Sequence, residues 1–402
     1  MNILFISHRV PYPPNKGEKI RTFNQVKFLS EKGNKVFVCA PLEQTGEIEH
    51  FNNLASKYHV DTSYGKLTNK PYRLLKGFFG GKALSIANFA SSRLQKNIDN
   101  LLNNKKFDVI ICTSSAMAEY IYKSNIFNAL EKKPLLLMDF MDLDSDKWQQ
   151  YANTASMLMK WIYLREAKIL SKYEQQITQD FDTSFFIADA EVALFKTQAE
   201  SSGKVLTMGN GMNTEVFVPA KEAPKNKEPV FLFTGVMDYK PNIDAVAWFV
   251  ENVWSGILSK YPLSRFIIAG MNPSAAVKKL ESVKGIEVTG FVDDILPYYH
   301  QSDYFVAPFR LARGVQNKVL QAFACGLPVI STPMGAEGID CQKERDILIA
   351  STAEEFLSCI VRLEKEKEFR ESIKNNALAL IHKHYSWQGK LQVLDDVLQG
   401  KV

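Results

Sequence analysis

Short apolar runs alternate with longer amphipathic stretches along the whole chain. The runs at residues 2–7, 35–40, 107–112, 231–234, 265–269 and 304–307 have the length and composition of buried strands. Between them, apolar residues recur every three or four positions, which is typical of helices with one buried face. Strands that alternate with helices in this way build parallel sheets. The pattern therefore predicts an α/β protein.

One segment interrupts this alternation. Residues 219–229, PAKEAPKNKEP, are polar, charged and proline-bearing, and they show no hydrophobic period. We expect a linker there, between a first α/β domain at residues 1–218 and a second that starts at residue 230. A chain of 402 residues is long enough for two such domains, each with its own core.

The second domain contains a strand–loop–helix–strand unit at residues 302–332 whose loop is rich in arginine. Such folds bind ligands at the carboxyl edge of the sheet, where the loop lies. The start of the predicted helix, residues 314–325, offers unpaired N–H groups that favour an anion. Arg310, Arg313 and Lys318 add positive charge beside it. The unit predicts a diphosphate site; the alternative is an ordinary α/β unit whose basic side chains are solvated.

Composition narrows the class of protein. A hydrophobic content of 46% and a charged content of 23% are ordinary for a globular protein, and a net charge of +5 does not indicate a nucleic-acid binder. Five cysteines without a C-x-x-C pair predict reduced thiols in a cytoplasmic protein. The chain begins with a strand pattern and not a signal peptide, and no apolar run approaches the roughly 20 residues of a membrane span. Any membrane contact is expected to be peripheral.

Two further segments carry chemistry that the pattern leaves open. Asp139, Asp142, Asp144 and Asp146 crowd eight positions, and they would suit a metal-binding D-x-D, a base or acceptor-orienting carboxylate, or the cap of the next helix. Residues 69–102 mix lysines, arginines and aromatic residues on predicted helices. This mixture is typical of surface-seeking amphipathic segments, and also of ordinary helices packed on a sheet.

The arginine-rich loop and its helix resemble the nucleotide-sugar motif of the group 1 glycosyltransferases, which have the two-domain GT-B fold. More narrowly, they resemble the sugar transferases associated with exosortase and exopolysaccharide loci. The motif of that family, PLRxARGxQNKVLEAMAxGxPVV, is matched here at Arg310, Ala312, Arg313, Gly314, Gln316, Asn317, Lys318, Val319, Leu320, Ala322, Ala324, Gly326, Pro328 and Val329. The runs HRVPYPPNKGEKIRTF and NGMNTEVF are similar to two other elements of these proteins.

The resemblance implies two Rossmann-like domains that face each other across a cleft. Residues 1–218 would form the acceptor side, residues 230–384 would bind the nucleotide sugar, and residues 385–402 would be a helix that returns to the first domain. The implied activity is the retaining transfer of a sugar from a donor such as a UDP- or GDP-sugar to a saccharide or lipid-linked acceptor in cell-surface polysaccharide synthesis. The resemblance implies a reaction without a metal, and we expect no cofactor and no nucleic-acid partner. The mild net charge of +5 permits peripheral contact with an anionic membrane.

The resemblance also assigns roles to individual residues. The implied catalytic residues are Asp142 and Arg313, and the acceptor side would hold Lys19, Arg21 and Asp144. The implied donor-binding residues are Gly17, Arg310, Gly314, Asn317, Lys318, Gln321, Gly290, Val292 and Glu337.

The sequence departs from the wider group at one important position. That group carries two glutamates eight positions apart, for the donor sugar and for the ribose; here these positions hold Arg313 and Gln321. Arginine is usual in the narrower family, but glutamine at the ribose position brings no charge. Two alternatives therefore stay open: a non-catalytic nucleotide-sugar-binding partner of an active transferase, and a nucleotide-sugar epimerase on the same fold.

Overall fold

A computed structural model describes residues 1–15, 17–199, 203–222, 226–311 and 315–402, and at positions 154 and 158 the backbone alone. The chain divides into two compact units. The N-terminal unit is Met1–Asn210 together with Lys390–Val402, and the C-terminal unit is Gly211–Gly389. Each unit contains one parallel sheet with helices, so the α/β prediction is confirmed for both.

The N-terminal unit is built on a sheet in the order β3-β2-β1-β4-β5-β6-β7. Its strands are β1 (Asn2–Ile6), β2 (Lys35–Leu42), β3 (Asp61–Lys66), β4 (Val109–Thr113), β5 (Leu135–Met141), β6 (Thr183–Phe186) and β7 (Val205–Thr207). Its helices are α1 (Gly17–Glu31), α2 (Glu47–Tyr58), α3 (Lys70–Phe79), α4 (Leu84–Ala87), α5 (Ser92–Asn104), α6 (Ala118–Tyr122), α7 (Asn125–Asn128), α8 (Asp144–Thr154), α9 (Met157–Asp180) and α10 (Asp189–Gln198).

The C-terminal unit has a sheet in the order β10-β9-β8-β11-β12-β13. Its strands are β8 (Val230–Thr234), β9 (Arg265–Ala269), β10 (Ile286–Gly290), β11 (Tyr304–Ala307), β12 (Val329–Ser331) and β13 (Leu348–Ile349). Its helices are α11 (Lys240–Phe249), α12 (Ser255–Lys260), α13 (Ala275–Lys279), α14 (Leu296–Gln301), α15 (Asn317–Ala324), α16 (Ala353–Lys365), α17 (Lys367–Leu380) and α18 (Trp387–Lys390). The last helix, α19 (Gln392–Leu398), belongs to the N-terminal unit.

The central strands β1, β4, β8 and β11 explain why the sequence folds in this way. Apart from the exposed first residue of β1, every position in these four strands is buried. A parallel sheet is covered by helices on both faces, so its inner strands are continuous apolar runs and do not alternate. The apolar runs in the sequence are these inner strands.

The boundary of the units differs from the predicted linker at residues 219–229. The C-terminal unit already begins at Gly211 because the segment before that linker bonds to it: the Met212 N–H donates to the Tyr385 carbonyl at 2.6 Å, and a His300 ring nitrogen lies 2.8 Å from the Val218 carbonyl. The last residues, from Lys390, belong to the N-terminal unit, where Asp395 pairs with Lys32 at 2.5 Å.

Each sheet reverses its strand order at one pair of central strands, β1 and β4 in the N-terminal unit and β8 and β11 in the C-terminal unit. The chain leaves these two neighbouring strands toward opposite sides, which opens a crevice at their carboxyl ends. These two crevices are where ligand chemistry is expected. In the part of the chain that the structure describes, no helix is long and apolar enough to cross a membrane.

Candidate functional site

Lys318 lies at the crevice of the C-terminal unit, in the first turn of α15. Its Nζ donates a hydrogen bond to the Oδ1 of Asn242 at 2.7 Å. The same Nζ lies 4.6 Å from the ring centroid of Phe233 and 5.0 Å from that of Phe309, so aromatic faces stabilise its charge. Among the described residues it pairs with no carboxylate. An ammonium group is therefore held at the crevice by neutral partners.

Burial lowers the pKa of Lys318 to about 7. The cause is desolvation, because neutral aromatic and amide groups replace water around the ammonium without supplying a countercharge. An anion bound at this point would supply one. The geometry and the lowered pKa together describe a site that is prepared for a negatively charged ligand.

Gly235, the residue after β8, makes room for this arrangement. A Cβ there would lie 2.6 Å from the Asn242 amide nitrogen and 2.8 Å from the Lys318 Nζ. That amide nitrogen also donates to the Val236 carbonyl at 2.9 Å, which fixes the Asn242 side chain. The sequence places Gly235 and Asn242 at the two ends of a strand-to-helix turn at the cleft edge, but neither was among the predicted site residues. The signal for Asn242 was an amide side chain in the first turn of the helix that follows Gly235, and Asn242 is buried.

Arg310, a predicted phosphate ligand, forms a two-bond ion pair with Asp244. The Nε and Nη2 of Arg310 lie 3.1 and 2.5 Å from the two carboxylate oxygens. The guanidinium is 53% exposed, so Asp244 offsets much of its charge while solvent screens the rest. Arg313 and Gly314, the other predicted members of this loop, lie outside the described residues.

The helix predicted at residues 314–325 begins, among the described residues, at Asn317, an exposed residue. Its N-cap is Gln316, whose side chain makes no capping hydrogen bond. Gln316 therefore does not cap the positive end of the α15 dipole, and Asn317 and Lys318 lie beside that end. This arrangement stays compatible with the predicted donor role of both residues.

Gln321, on the next turn of α15, belongs to a short hydrogen-bond chain. The Tyr299 hydroxyl donates to its Oε1 at 3.1 Å and lies 2.9 Å from the Thr234 hydroxyl. Because Tyr299 has one proton to donate, Thr234 is the donor in the second bond. Burial keeps Tyr299 protonated by raising its pKa well above the usual range. The chain fixes the carbonyl of Gln321 and leaves its NH₂ group to donate to a ligand.

The other predicted donor residues follow neighbouring strands of the same sheet. Gly290 ends β10 with a φ of +69°, and Val292, two residues later, is half-buried. Glu337 is exposed in the loop after β12, which is fixed where the Thr332 hydroxyl donates to the Phe309 carbonyl at 2.6 Å. These residues and Lys318 lie at the carboxyl edge of the same sheet. In the described part of the chain they make no direct contact with one another.

Exposed apolar side chains collect at this same edge. They follow the carboxyl ends of five strands, and each is at least 36% exposed: Val236, Met271, Phe291, Leu311, Val315 and Met334. Apolar side chains that surround a few polar groups are the usual lining of a small-molecule site. The edge thus combines an ammonium group with apolar surface, as a charged ligand with a flat ring would require.

In the N-terminal unit the predicted acceptor residue Arg21 is buried, with 1% of its side chain exposed. Its Nε and Nη2 each lie 2.8 Å from an oxygen of Asp139, and its Nη1 donates to Asn210 at 3.0 Å. Gln25 donates to the same carboxylate at 2.5 Å. The acceptor role predicted for Arg21 does not agree with this position, because the guanidinium is enclosed. We infer that it holds α1 against β5.

Asp142, which follows β5, and Asp144, the first residue of α8, share one lysine. Lys147 forms an ion pair with Asp142, and its Nζ lies 3.7 Å from Asp144. Partial burial would lower the pKa of Lys147, but these carboxylates raise it. Burial raises the pKa of Asp144, although Lys147 opposes this. Among the described residues, no group of three or more His, Cys, Asp or Glu side chains could hold a metal ion.

The start of α8 is capped from elsewhere and not by Asp144. Glu191 accepts the Leu143 N–H at 3.2 Å, and Glu174 accepts the Ser145 N–H at 3.1 Å. Burial raises the pKa of Glu174 to about 8. The capping interpretation of Asp144 is therefore wrong, because carboxylates that are distant in sequence reach these N–H groups.

Gly17 and Lys19 lie in the first turn of α1. Gly17 is exposed, and a Cβ there would meet no atom within 4 Å, so packing does not require glycine at this position. Lys19 is half-buried. Both stay candidates for contact with a ligand.

Comparisons with known proteins show which family the C-terminal unit resembles and which solved structures share the fold. Residues 228–366 match the family model described as "Glycosyl transferases group 1". A Rickettsia africae glycosyltransferase shares the fold, with a TM-score of 0.58 and 14% identity over 100% of this chain and 98% of that one. Anabaena HepE, solved in complex with UDP-glucose, has a TM-score of 0.55 and 12% identity over 100% of both chains.

A curated relative comes from Klebsiella pneumoniae, where it is described as an uncharacterized 44.6 kDa protein in the cps region. It is 22% identical over 95% of this chain and 96% of its own length. The two parallel sheets and the likeness to these solved structures show that the chain has the GT-B fold. Within it, residues 228–366 match a group 1 glycosyl transferase domain. The narrower resemblance to the exosortase-associated transferases stays a prediction.

Proposed function

We propose that the protein transfers a sugar from a nucleotide diphosphate sugar to a saccharide or lipid-linked saccharide acceptor, with retention at the anomeric carbon. The observation that carries the proposal is Lys318, whose ammonium lies at the crevice of the C-terminal unit without a carboxylate partner among the described residues. The diphosphate of the donor is the countercharge that this site lacks. The predicted Arg313 would complete the phosphate contacts.

The chemistry proposed for Lys318 is electrostatic. As the bond between the anomeric carbon and the diphosphate breaks, negative charge grows on the departing oxygen. A fixed ammonium group and the positive end of α15 stabilise that charge, and they need no reorganisation at the moment of reaction. The aromatic rings that hold Lys318 also exclude water, which strengthens the interaction. No metal ion is required for this role.

The acceptor is proposed to bind the N-terminal unit at the carboxyl edge of its sheet. Asp142 and Asp144 are half-buried there at the end of β5, and they keep their predicted catalytic and acceptor roles as hypotheses. Polysaccharide synthesis is proposed as the setting, because the Klebsiella relative is described from a cps region. A lipid-linked acceptor would bring the protein to the inner face of a membrane.

A thermal-shift panel of UDP- and GDP-sugars tests the donor site. A ligand at 100 times its dissociation constant adds about 2.7 kcal/mol to the free energy of unfolding, which such an assay resolves. We expect one nucleotide sugar to raise the melting temperature of the wild type, and Lys318→Met to lose that shift. Lys284→Met, an exposed lysine at the opposite edge of the same sheet, is the control and should keep it. An equal shift in all three proteins would contradict the site.

A non-catalytic nucleotide-sugar-binding partner remains a second candidate, and Gln321 favours it. Its carbonyl is already bonded to Tyr299, so the ribose position presents a neutral amide donor where the wider group has a charged acceptor. An assay with a mixed pool of acceptors, in which release of the nucleoside diphosphate is measured, decides between an active transferase and a non-catalytic partner. Binding without release would favour the partner.

A further inference from the structure

The N-terminal unit contains a basic cavity of about 660 Å³ that the donor site does not use. Five cationic side chains line it, Arg73, Lys76, Lys82, Lys96 and Lys123. Among the described lining residues one carboxylate, Glu119, opposes them, which leaves a formal excess of four positive charges. Such an excess around one cavity attracts an anionic ligand.

Arg73 is the buried cation of this wall, with 9% of its surface exposed. Its Nε donates to the Asn88 carbonyl at 2.9 Å, its Nη1 to the Thr68 carbonyl, and its Nη2 to the Asn88 side chain at 3.5 Å. All of these acceptors are neutral, and no described carboxylate forms an ion pair with Arg73. Burial lowers the pKa of Arg73, and Glu43 opposes this only from beyond ion-pair distance. A buried charge without a paired countercharge is costly unless a ligand supplies one.

The lysines of the cavity divide into two kinds. Lys82 and Lys123 both pair with Glu119, the latter at 2.9 Å. Lys76 and Lys96 are exposed, and within the described residues neither makes an ion pair or a side-chain hydrogen bond. Their charge is therefore available to a ligand that enters the cavity.

The cavity lies at the carboxyl edge of the N-terminal sheet. Thr68, two residues after β3, and Ala116, three residues after β4, are in its wall. Phe89, also in the wall, makes an edge-on ring contact of 5.6 Å with His8, which follows β1. The cavity thus borders the crevice between β1 and β4, where this sheet type binds ligands.

An apolar patch adjoins the cavity. Helix α3 exposes Tyr72, Leu75 and Phe79, and α9 exposes Met157 and Trp161 near its start; each of these side chains is more than half exposed. Phe78 connects the two helices, since its ring centroid lies 5.7 Å from that of Phe79 and 6.2 Å from that of Trp161. Tyr72 belongs both to this patch and to the cavity wall, so the two surfaces are continuous.

We propose that this face docks on a membrane and that the cavity binds the phosphate group of an anionic lipid, whose hydrocarbon lies along the apolar patch. Aromatic side chains beside lysines are the pattern of membrane-interface segments, and a soluble anion would make no use of the apolar patch. The inference rests on the proposed function, because it supplies the membrane at which a lipid-linked acceptor would be met. It adds the lipid site itself.

Sedimentation with vesicles of phosphatidylcholine containing phosphatidic acid tests the proposal. Near an anionic surface each lysine changes the partition coefficient onto the vesicles by a factor of about five. The double variant Lys76→Ser with Lys96→Ser should therefore bind the vesicles about twenty-five-fold more weakly. The matched control is Lys106→Ser with Lys132→Ser, exposed lysines at the amino edge of the same sheet, which removes the same charge. Tyr72→Ser with Phe79→Ser should weaken binding at high salt, where charges are screened and apolar contacts remain.

The outcomes separate this site from the donor site. Selective loss in the Lys76/Lys96 variant, with the nucleotide-sugar thermal shift unchanged, supports the lipid site. Equal losses in the control pair would reduce the binding to general surface charge and overturn the proposal, as would a wild type that does not sediment. Stabilisation by inorganic pyrophosphate that is lost in Lys76→Ser with Lys96→Ser, in a protein that binds no vesicles, would assign the cavity to a soluble anion and also overturn it. Failure of the nucleotide-sugar panel would refute the proposed function alone.

Discussion

The lowered pKa of Lys318 predicts that donor binding takes up a proton. In the free protein burial holds this pKa at about 7. A diphosphate beside the Nζ stabilises the charged form and should return the pKa toward the usual value of about 10.4. A group whose pKa is higher in the bound state favours binding when it is protonated. The affinity for the nucleotide sugar should therefore be highest well below pH 7 and fall as the pH rises through 7.

The magnitude follows from the protonated fraction of the free protein. With a pKa of about 7, roughly nine-tenths of Lys318 is charged at pH 6 and about 3% at pH 8.5. If the bound pKa lies above 9, affinity should drop about thirtyfold across that interval, or about 2 kcal/mol. At pH 8 binding should take up about 0.9 proton.

Isothermal titration calorimetry measures both quantities. A nucleotide sugar is titrated at pH 6 to 8.5, and at pH 8 in buffers of different ionisation enthalpy, whose slope gives the proton uptake. Lys318→Arg is the control, because a guanidinium stays charged throughout and should abolish both the uptake and the pH dependence. A flat affinity and no proton uptake in the wild type would refute the reasoning and remove Lys318 from the phosphate.

Three further predictions concern other parts of the molecule. Gln321→Glu should tighten donor binding by about 1 kcal/mol, because a carboxylate accepts from both Tyr299 and a ribose hydroxyl; equal losses on 2′-deoxygenation of the nucleotide in both proteins would show that residue 321 is not at the ribose. Arg21→Met should lower the free energy of unfolding in denaturant titrations by about 3–5 kcal/mol, since it leaves the buried Asp139 without its cation, and adding Asp139→Leu should restore much of the loss. Unchanged stability in the single variant would contradict the buried pair. Transfer activity should persist in EDTA, because the proposed electrostatic work is done by a lysine and a helix start; a loss that Mg²⁺ restores would instead assign a metal to Asp142.

The path of residues 69–102 shows how far a local pattern reaches. The sequence allowed a surface-seeking segment or ordinary packed helices, and in the structure the two ends of the segment differ in how much they bury. Helix α5 buries Leu94, Ile98 and Leu102 in the core, as an ordinary helix does. Helix α3 buries little beyond Arg73 and Gly77 and presents aromatic side chains to solvent. One-dimensional periodicity describes each face but not what lies opposite it.

The sequence by itself determined the α/β class, the parallel sheets and the position of Lys318 at a helix start, because burial of a strand or of a helix face leaves an apolar period in the chain. Only the tertiary structure decided which side chains meet. Lys318 finds Asn242 across 76 positions because β8 lies beside β11, and Arg21 finds Asp139 across 118 because side chains near the start of α1 reach the end of β5 in the same sheet. These pairings depend on strand order, which leaves no period in one sequence. They decide that Arg21 is enclosed and that Lys318 has no carboxylate partner among the described residues.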